Sequence, residues 1–238
     1  MATVIRLRDW PEGLYLNSDK ENPAIGKPRG EVLIGGPMVS QGYFIPDPDN
    51  LNENDKELVK KNQEEYLQAD GYRWFCSGDI GQITENGTLQ IVDRKKDLWK
   101  GPQGEYVALS KVESAGKLSP YVDMCMCYGQ VGQAFVVLLV VGNEKCIKAL
   151  GKELGLGEDY EKIISEPPVL KAVQDSVVEY CKKSKLVNFE IPQRLRIVNA
   201  LWTPENDMLT AALKMKRVVI QRAHQDLIDD MYNNGKGK

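Results

Sequence analysis

The chain has 238 residues, of which 42% are hydrophobic and 27% are charged, as in an ordinary globular protein with one or two domains. Its formal net charge of −3 argues against a nucleic-acid-binding protein, because such proteins are usually basic. No apolar run approaches the roughly 20 residues of a membrane-spanning helix. Residues 1–10 also lack the apolar core of a signal peptide.

Five scattered cysteines indicate reduced thiols of an intracellular protein rather than a disulfide framework: Cys76, Cys125, Cys127, Cys146 and Cys181. Only one histidine, His224, is present, and it lies in a polar segment with helical spacing. We therefore expect neither a metal site nor catalysis by a Ser-His-Asp or Cys-His arrangement.

The first part of the chain is predicted to be rich in strands. Residues 3–8 and 31–34 have the apolar spacing of strands, and residues 52–67 form a polar, weakly amphipathic helix. The strongest local signal is a hairpin over residues 81–93. Its Asn86-Gly87 pair predicts a type I′ turn, because these residue types tolerate positive φ angles.

The second part is predicted to be a small α+β domain. Residues 134–141 form an unbroken apolar run rich in β-branched side chains, which predicts a strand buried on both faces. Further strands are expected at residues 123–128 and 194–198, and helices at residues 109–118, 144–154, 168–185 and 214–232. The last six residues, 233–238, are expected to be frayed.

Three kinds of chemistry fall within residues 74–107. Asp79 follows the small-residue turn Ser77-Gly78, a basic cluster begins at Arg94, and a glycine-bearing loop carries Lys100. An aspartate at a turn can accept both hydroxyls of a ribose, and the cations can hold phosphates. From position alone, Asp79 is as well explained by capping its own backbone, and the cations by a solvated surface.

These segments resemble the hinge region of acyl-adenylate-forming enzymes, in their long-chain fatty acyl-CoA synthetase branch. The resembling segments follow the order of that family over nearly the whole chain: residues 30–36 (GEVLIGG), 41–44 (QGYF), 74–81 (WFCSGDIG), 92–100 (VDRKKDLWK), 104–107 (GEYV), 189–192 (FEIP), 202–205 (WTPE) and 209–217 (LTAALKMKR). The Ser/Thr/Gly-rich phosphate loop of the family's N-terminal region does not occur in this sequence.

The resemblance implies an α+β organisation with a hinge. Residues 1–95 would be the C-terminal, β-rich part of the AMP-binding domain, including a β-barrel subdomain. Residues 96–232 would be the small mobile C-terminal domain, and Lys96 would be the hinge residue whose backbone torsions change between two half-reactions.

The resemblance also implies roles for individual residues. Asp79 would bind the ribose of ATP, and Arg94, Lys96 and Lys100 would bind the nucleotide. Gly104, Glu105 and Tyr106 would form the loop that faces the pantetheine channel of CoA, although Trp99 and Gly101-Pro102 depart from the usual pattern there. Lys214 would be the catalytic lysine of adenylation at the start of a helix, where a positive charge stabilises the reacting phosphorus and carboxylate.

The implied enzyme is an ATP-dependent long-chain fatty acid–CoA ligase that uses ATP, Mg²⁺ and CoA and needs an N-terminal domain of the same polypeptide. The chain alone is expected to be inactive, and membrane association of the enzyme would come from segments outside it. Two alternatives remain open: another acyl-adenylating ligase, and a non-catalytic binding module of the same fold.

Overall fold

The computed structural model describes residues 3–233 and divides the chain into two compact units, Met1–Leu98 and Trp99–Lys238. We call them unit 1 and unit 2 and describe each by itself. Among residues 3–233, none of the helices combines the length and the apolar character needed to cross a bilayer.

Unit 1 consists mainly of strands. Its elements are β1 (Val4–Arg8), β2 (Arg29–Gly35), α1 (Glu53–Glu65), β3 (Tyr66–Ala69), β4 (Tyr72–Ile83) and β5 (Leu89–Arg94), with short 3₁₀ turns at Pro11–Gly13, Asn17–Glu21 and Lys95–Asp97. The strands form one antiparallel sheet in the order β1-β2-β4-β3, and β5 pairs with another part of β4. The described residues of unit 1 thus form an open sheet rather than the closed barrel that the resemblance implied.

The β4–β5 hairpin is confirmed, but the predicted type I′ turn is wrong. Of the Asn86-Gly87 pair only Gly87 has a positive φ, +75°, and the loop is closed by the Gly87 N–H donating to the Thr84 carbonyl at 2.9 Å. The two-residue turn with two positive φ angles is instead Asp70-Gly71, between β3 and β4. Sequence interpretation missed β3 because it extended the preceding helix two residues beyond the end of α1.

Unit 2 alternates strands and helices. Its elements are β6 (Leu98–Lys100, beginning at the boundary), β7 (Tyr106–Ala108), α2 (Leu109–Gly116), β8 (Val122–Gly129), β9 (Val136–Gly142), α3 (Glu144–Glu153), α4 (Tyr160–Ile163), α5 (Pro167–Lys183), β10 (Arg194–Val198), α6 (Arg217–Ala223) and α7 (Gln225–Asn233). Strand β9 lies between β8, which is antiparallel to it, and β10, which is parallel. β6 and β7 form a separate two-stranded sheet.

The buried central strand predicted for unit 2 is confirmed in β9, where every residue is buried. Because side chains alternate along a strand, Leu138 packs into one core with residues of α2, α3 and α5, while Leu139 packs into a second core with residues of α6 and α7. Two apolar faces explain why this segment has no polar position. The sheet of unit 2 is therefore covered on both faces.

The single closing helix predicted over residues 214–232 is wrong at its start and in its middle. Helix α6 begins only at Arg217, and His224 separates it from α7. The half-buried His224 accepts a hydrogen bond at Nε2 from the indole N–H of Trp202, at 3.4 Å, and burial lowers its pKa. The predicted frayed tail lies outside the described residues, except for Asn233 at the end of α7.

Candidate functional site

A bulge in β4 presents Asp79. Between two paired positions of β2 and β4, the single residue Val32 faces three residues, Ser77, Gly78 and Asp79. The Ser77 hydroxyl donates to the Val32 carbonyl at 2.8 Å, and its Oγ accepts from the Asp79 N–H at 3.1 Å. Gly78 has a φ of +72°, a conformation that glycine adopts without strain. The Ser77 hydroxyl and the bulge conformation at Gly78 therefore position Asp79.

The structure brings two predicted nucleotide-binding residues together. Asp79 and Arg94 occupy paired positions of β4 and β5, and Arg94 Nε lies 3.3 Å from Asp79 Oδ1. The side chains are 38% and 62% exposed, respectively. An exposed pair of this kind contributes little to folding, about 0–1 kcal/mol. Both groups are therefore available for exchange with the hydroxyls or phosphates of a ligand.

The basic cluster that follows β5 separates into two faces. Asp93 is buried, and Lys95 forms an ion pair at 3.3 Å with the buried Glu31. Arg94 and Lys96 alternate with them and are exposed. Such alternation is expected where the chain leaves a strand. The two residues predicted to bind nucleotide are the outward ones, whereas Lys95, which the sequence did not single out, is inward.

Lys96 lies beside a cleft of unit 1 with a volume of about 460 Å³, which it lines together with Ser77, Gly78, Arg94, Tyr43 and Glu65. Its Nζ is 3.9 Å from a carboxylate oxygen of Glu65. The Tyr43 hydroxyl donates to the other oxygen of Glu65 at 2.7 Å, and this hydrogen bond raises the pKa of Tyr43 to about 12. Tyr43 and Glu65 are polar neighbours of the candidate site that sequence interpretation did not find.

The predicted pantetheine-channel loop is a tight connection between β6 and β7. The Gly101 N–H donates to the Glu105 carbonyl at 2.8 Å, and the Gly104 N–H donates to the Gly101 carbonyl at 3.1 Å. Gly104 has a φ of +88°, with no atom near the position a Cβ would take. The ammonium of Lys100 lies 5.3 Å from the ring centre of Tyr106. Open backbone at Gly104 suits close approach by a thin ligand.

Trp99, which departs from the family's usual pattern, lies in the core of unit 2 and not on the surface of this loop. Its side chain is 6% exposed and belongs to the core of unit 2. The indole N–H donates to the Gln130 carbonyl at 3.2 Å, and a side chain at Gly129 would collide with the ring. Trp99 thus ties the start of the loop to the core of unit 2.

Lys214 lies on a turn rather than at the predicted helix start. The Thr210 N–H donates to the Lys214 carbonyl at 2.8 Å, and the Lys214 N–H donates to Thr210 Oγ1 at 3.1 Å. Leu213 has a φ of +57°, which turns the chain back on itself. The Lys214 side chain is exposed and forms no ion pair within residues 3–233.

The cations after Lys214 fix its turn. Lys216 pairs with Asp207, and Arg217 binds both oxygens of the buried Glu113 at 2.6 and 2.8 Å. Glu113 also accepts from a backbone N–H of β8 at 2.8 Å. A guanidinium that meets a carboxylate through two bonds is held in direction as well as distance. The Glu113–Arg217 pair therefore fixes the chain three residues after Lys214.

The predicted site residues thus form three groups, one in unit 1 and two in unit 2. Asp79, Arg94 and Lys96 lie close to one another in unit 1. In unit 2, Lys100 and the Gly104 loop form one segment and Lys214 another. Sequence interpretation missed the carboxylates that hold the basic runs. For Glu31 the only signal was a charged residue within the otherwise apolar residues 30–36.

The known proteins described next match nearly the whole of this chain, and both are acyl-CoA synthetases. The chain is 36% identical over 229 residues to "Long chain acyl-CoA synthetase 8" of Arabidopsis thaliana, covering 96% of this chain and 30% of that protein. It is 35% identical to "Fatty acyl-CoA synthetase B" of Dictyostelium discoideum, covering 98% of this chain and 31% of that protein. The match lies in the C-terminal part of such relatives. No family model matches the chain.

This chain belongs to the long-chain acyl-CoA synthetase family. It spans about a third of the length of the curated relatives that it matches. Among solved structures, it superposes with a TM-score of 0.73 and 26% identity on the A-PCP didomain of carboxylic acid reductase from Segniliparus rugosus, a complex with AMP. That match covers 97% of this chain and 28% of the other. The synthetase-family fold is therefore supported by both sequence and structure.

Proposed function

We propose that this chain supplies the C-terminal part of the machinery of an ATP-dependent long-chain fatty acid–CoA ligase. The observation that carries the proposal is the exposed Asp79–Arg94 pair on a glycine bulge, within a chain 36% identical to a named acyl-CoA synthetase. In this proposal residues 1–95 complete the AMP-binding domain, and residues 96–232 act as the small mobile domain.

In the first half-reaction a fatty acid carboxylate attacks the α-phosphorus of ATP. A new P–O bond forms, the bond to the β-phosphate oxygen breaks, and pyrophosphate leaves with the bonding electrons. Asp79 accepts hydrogen bonds from the ribose hydroxyls, and Arg94 binds ribose or phosphate oxygens. Lys214 places a point charge where negative charge develops on the phosphorus oxygens. The exposure of Lys214 and the absence of an ion-pair partner within residues 3–233 support this role.

In the second half-reaction the CoA thiol loses its proton and its sulfur attacks the acyl-AMP carbonyl. The thioester bond forms, and AMP leaves with the electrons of the acyl–phosphate bond. Lys100, Gly104, Glu105 and Tyr106 form the loop beside the pantetheine arm. The open backbone at Gly104 supports that placement. Lys96 would be the hinge between the two arrangements, as its exposed side chain and 3₁₀ turn permit.

Fatty acid, ATP and CoA are the substrates in this proposal, and the N-terminal part of the synthetase is its partner. Within residues 3–233 no group of three or more His, Cys, Asp or Glu side chains could hold a metal ion.

A fusion synthetase tests the proposed function. In it, this chain replaces the matched C-terminal part of the Arabidopsis thaliana relative, and the fusion is incubated with palmitate, MgATP and CoA. We expect palmitoyl-CoA and AMP from the fusion. We expect neither from the 238-residue chain alone, because its sequence lacks a glycine-rich phosphate loop. A folded fusion that releases no AMP, or palmitoyl-CoA formation by the chain alone, contradicts the proposal.

A further inference from the structure

The centre of the unit 1 sheet contains a buried carboxylate with two cationic partners. Glu31, on β2, is 3% exposed. The Arg8 guanidinium donates to one of its oxygens from two nitrogens, with Nε at 3.0 Å. Lys95 Nζ approaches the same oxygen at 3.3 Å. One buried carboxylate requires a partner to offset its lost hydration, and Arg8 already provides it. The second cation therefore needs a separate explanation.

Lys95 is held from two sides. Besides Glu31, its ammonium lies 5.2 Å from the ring centre of Trp10, within the range of cation–π attraction. The Trp10 ring in turn stacks on Tyr15 with an interplanar angle of 2°, and the Tyr15 hydroxyl donates to Asp93 at 3.1 Å. Side chains two residues apart, at positions 93 and 95, are thus both fastened to unit 1.

The next lysine differs sharply from Lys95. Lys96 is 81% exposed and its nearest carboxylate, Glu65, is 3.9 Å away, whereas Lys95 is 28% exposed. Both belong to the 3₁₀ turn Lys95–Asp97, which the Leu98 N–H closes by donating to the Lys95 carbonyl. Fixing the Lys95 side chain fixes the carbonyl that closes the turn. The side-chain environment therefore changes at the peptide bond between positions 95 and 96, from a lysine held on a buried carboxylate to one that is mostly exposed.

We infer that Glu31 is a positioning residue for the hinge: by holding Lys95 it fixes the first residue of the turn on unit 1, so that Lys96 is the first residue of the turn whose side chain is not tied to the buried carboxylate. This inference rests on the proposed function, in which Lys96 is the pivot. It extends that proposal by naming the anchor against which the pivot turns. A small rotation at one residue gives a reproducible movement only if the preceding residue is fixed.

Hydrogen exchange on the 238-residue chain tests the anchor without any substrate. The reporter is the Leu98 amide, because its hydrogen bond to the Lys95 carbonyl closes the turn. Lys95→Met removes the charge and keeps the aliphatic stem, and it leaves Arg8 to pair with Glu31. We expect Leu98 exchange to accelerate at least tenfold relative to the Leu33 amide of β2. The matched control, Lys96→Met, should change the same ratio less than twofold.

Two further variants test whether the Glu31–Lys95 contact holds the turn at residues 95–97 or stabilises the whole sheet of unit 1. Lys95→Arg keeps the charge and should restore the Leu98 ratio to within about threefold of the wild type. Glu31→Gln should reproduce the effect of Lys95→Met, and the double variant should show no additional acceleration. Equal acceleration at Leu98 and Leu33, or equal effects of Lys95→Met and Lys96→Met, would overturn the inference. Inactivity of the fusion synthetase would instead count against the proposed function, because exchange is measured without catalysis.

Discussion

A short basic run in unit 1, residues 94–96, and one in unit 2, residues 214–217, follow the same plan. In unit 1, Lys95 is drawn inward by the buried Glu31, and Arg94 and Lys96 remain exposed. In unit 2, Arg217 is drawn inward by the buried Glu113, and Lys214 remains exposed. The inward member secures the backbone, and the outward member is available to a ligand.

The runs differ in how rigidly they are held. Arg217 binds both oxygens of Glu113, which also accepts a hydrogen bond from β8 beside the core of unit 2. Lys95 makes one longer contact with Glu31, whose main partner is Arg8. A basic run in the sequence therefore does not reveal which of its cations supports the fold and which is available to a ligand. The position of a distant carboxylate decides that.

The largest expected effect comes from breaking the stronger anchor. Glu113→Gln removes the buried charge that Arg217 contacts, and because Arg217 itself is partly exposed we expect a cost at or below the about 3–5 kcal/mol of a fully buried pair. We expect exchange of the β9 amides to report this loss of unit 2 stability. Lys171→Gln, which breaks the exposed pair with Asp175, should cost less than about 0.5 kcal/mol. If both variants lowered the stability of unit 2 equally, the inward cation would not support the fold more than an exposed one.

A smaller effect is expected at the exposed site of unit 1. Asp79→Asn keeps the shape of the side chain and removes the charge, and a hydrogen bond to a charged group contributes about 1.5–3 kcal/mol. In the fusion synthetase the KM for ATP should rise on the order of tenfold to a hundredfold, with little change in the stability of unit 1. Glu85→Gln, on the exposed β4–β5 loop, is the control and should leave KM unchanged. A drop in stability without a change in KM would make Asp79 a structural residue.

Thiol labelling at pH 8 compares how well the interiors of unit 1 and unit 2 protect their cysteines, and it requires no substitution. Burial raises the pKa of Cys125 to about 12 and that of Cys181 to about 11, and it also raises the pKa values of Cys76 and Cys127. A raised pKa leaves less of the reactive thiolate at pH 8.

In the folded chain we therefore expect the partly exposed Cys146 to react first, followed by Cys76 of unit 1, with the three core thiols of unit 2 last. Mass spectrometry of the labelled peptides gives the order. Labelling of Cys125 or Cys127 before Cys146 would mean that unit 2 opens more readily than its two cores suggest.

Much of the fold could be predicted from local pattern. The apolar run that forms β9 identified the central strand, and β10 lies at the predicted residues, because burial dictates side-chain type at each position. The break at His224 could not be predicted, because it depends on a contact with Trp202, 22 residues away. The same holds for Lys95, whose partner Glu31 is 64 residues distant. The family resemblance supplied the candidate residues Asp79, Arg94 and Lys214. The structure then distinguished the exposed cations Arg94 and Lys214 from their inward neighbours Lys95 and Arg217.

In the proposed function, Lys214 serves the formation of acyl-AMP and not its transfer to CoA. The most direct test measures both half-reactions of the fusion synthetase with Lys214→Ala, using Lys182→Ala in the exposed last turn of α5 as the control. Loss of one stabilising charge should slow acyl-AMP formation about 100- to 1,000-fold, or about 2.7–4 kcal/mol. Palmitoyl-CoA formation from supplied palmitoyl-AMP should stay within about threefold of the wild type, a difference below about 1 kcal/mol. Equal slowing of both half-reactions, or no slowing of the first, would contradict the account.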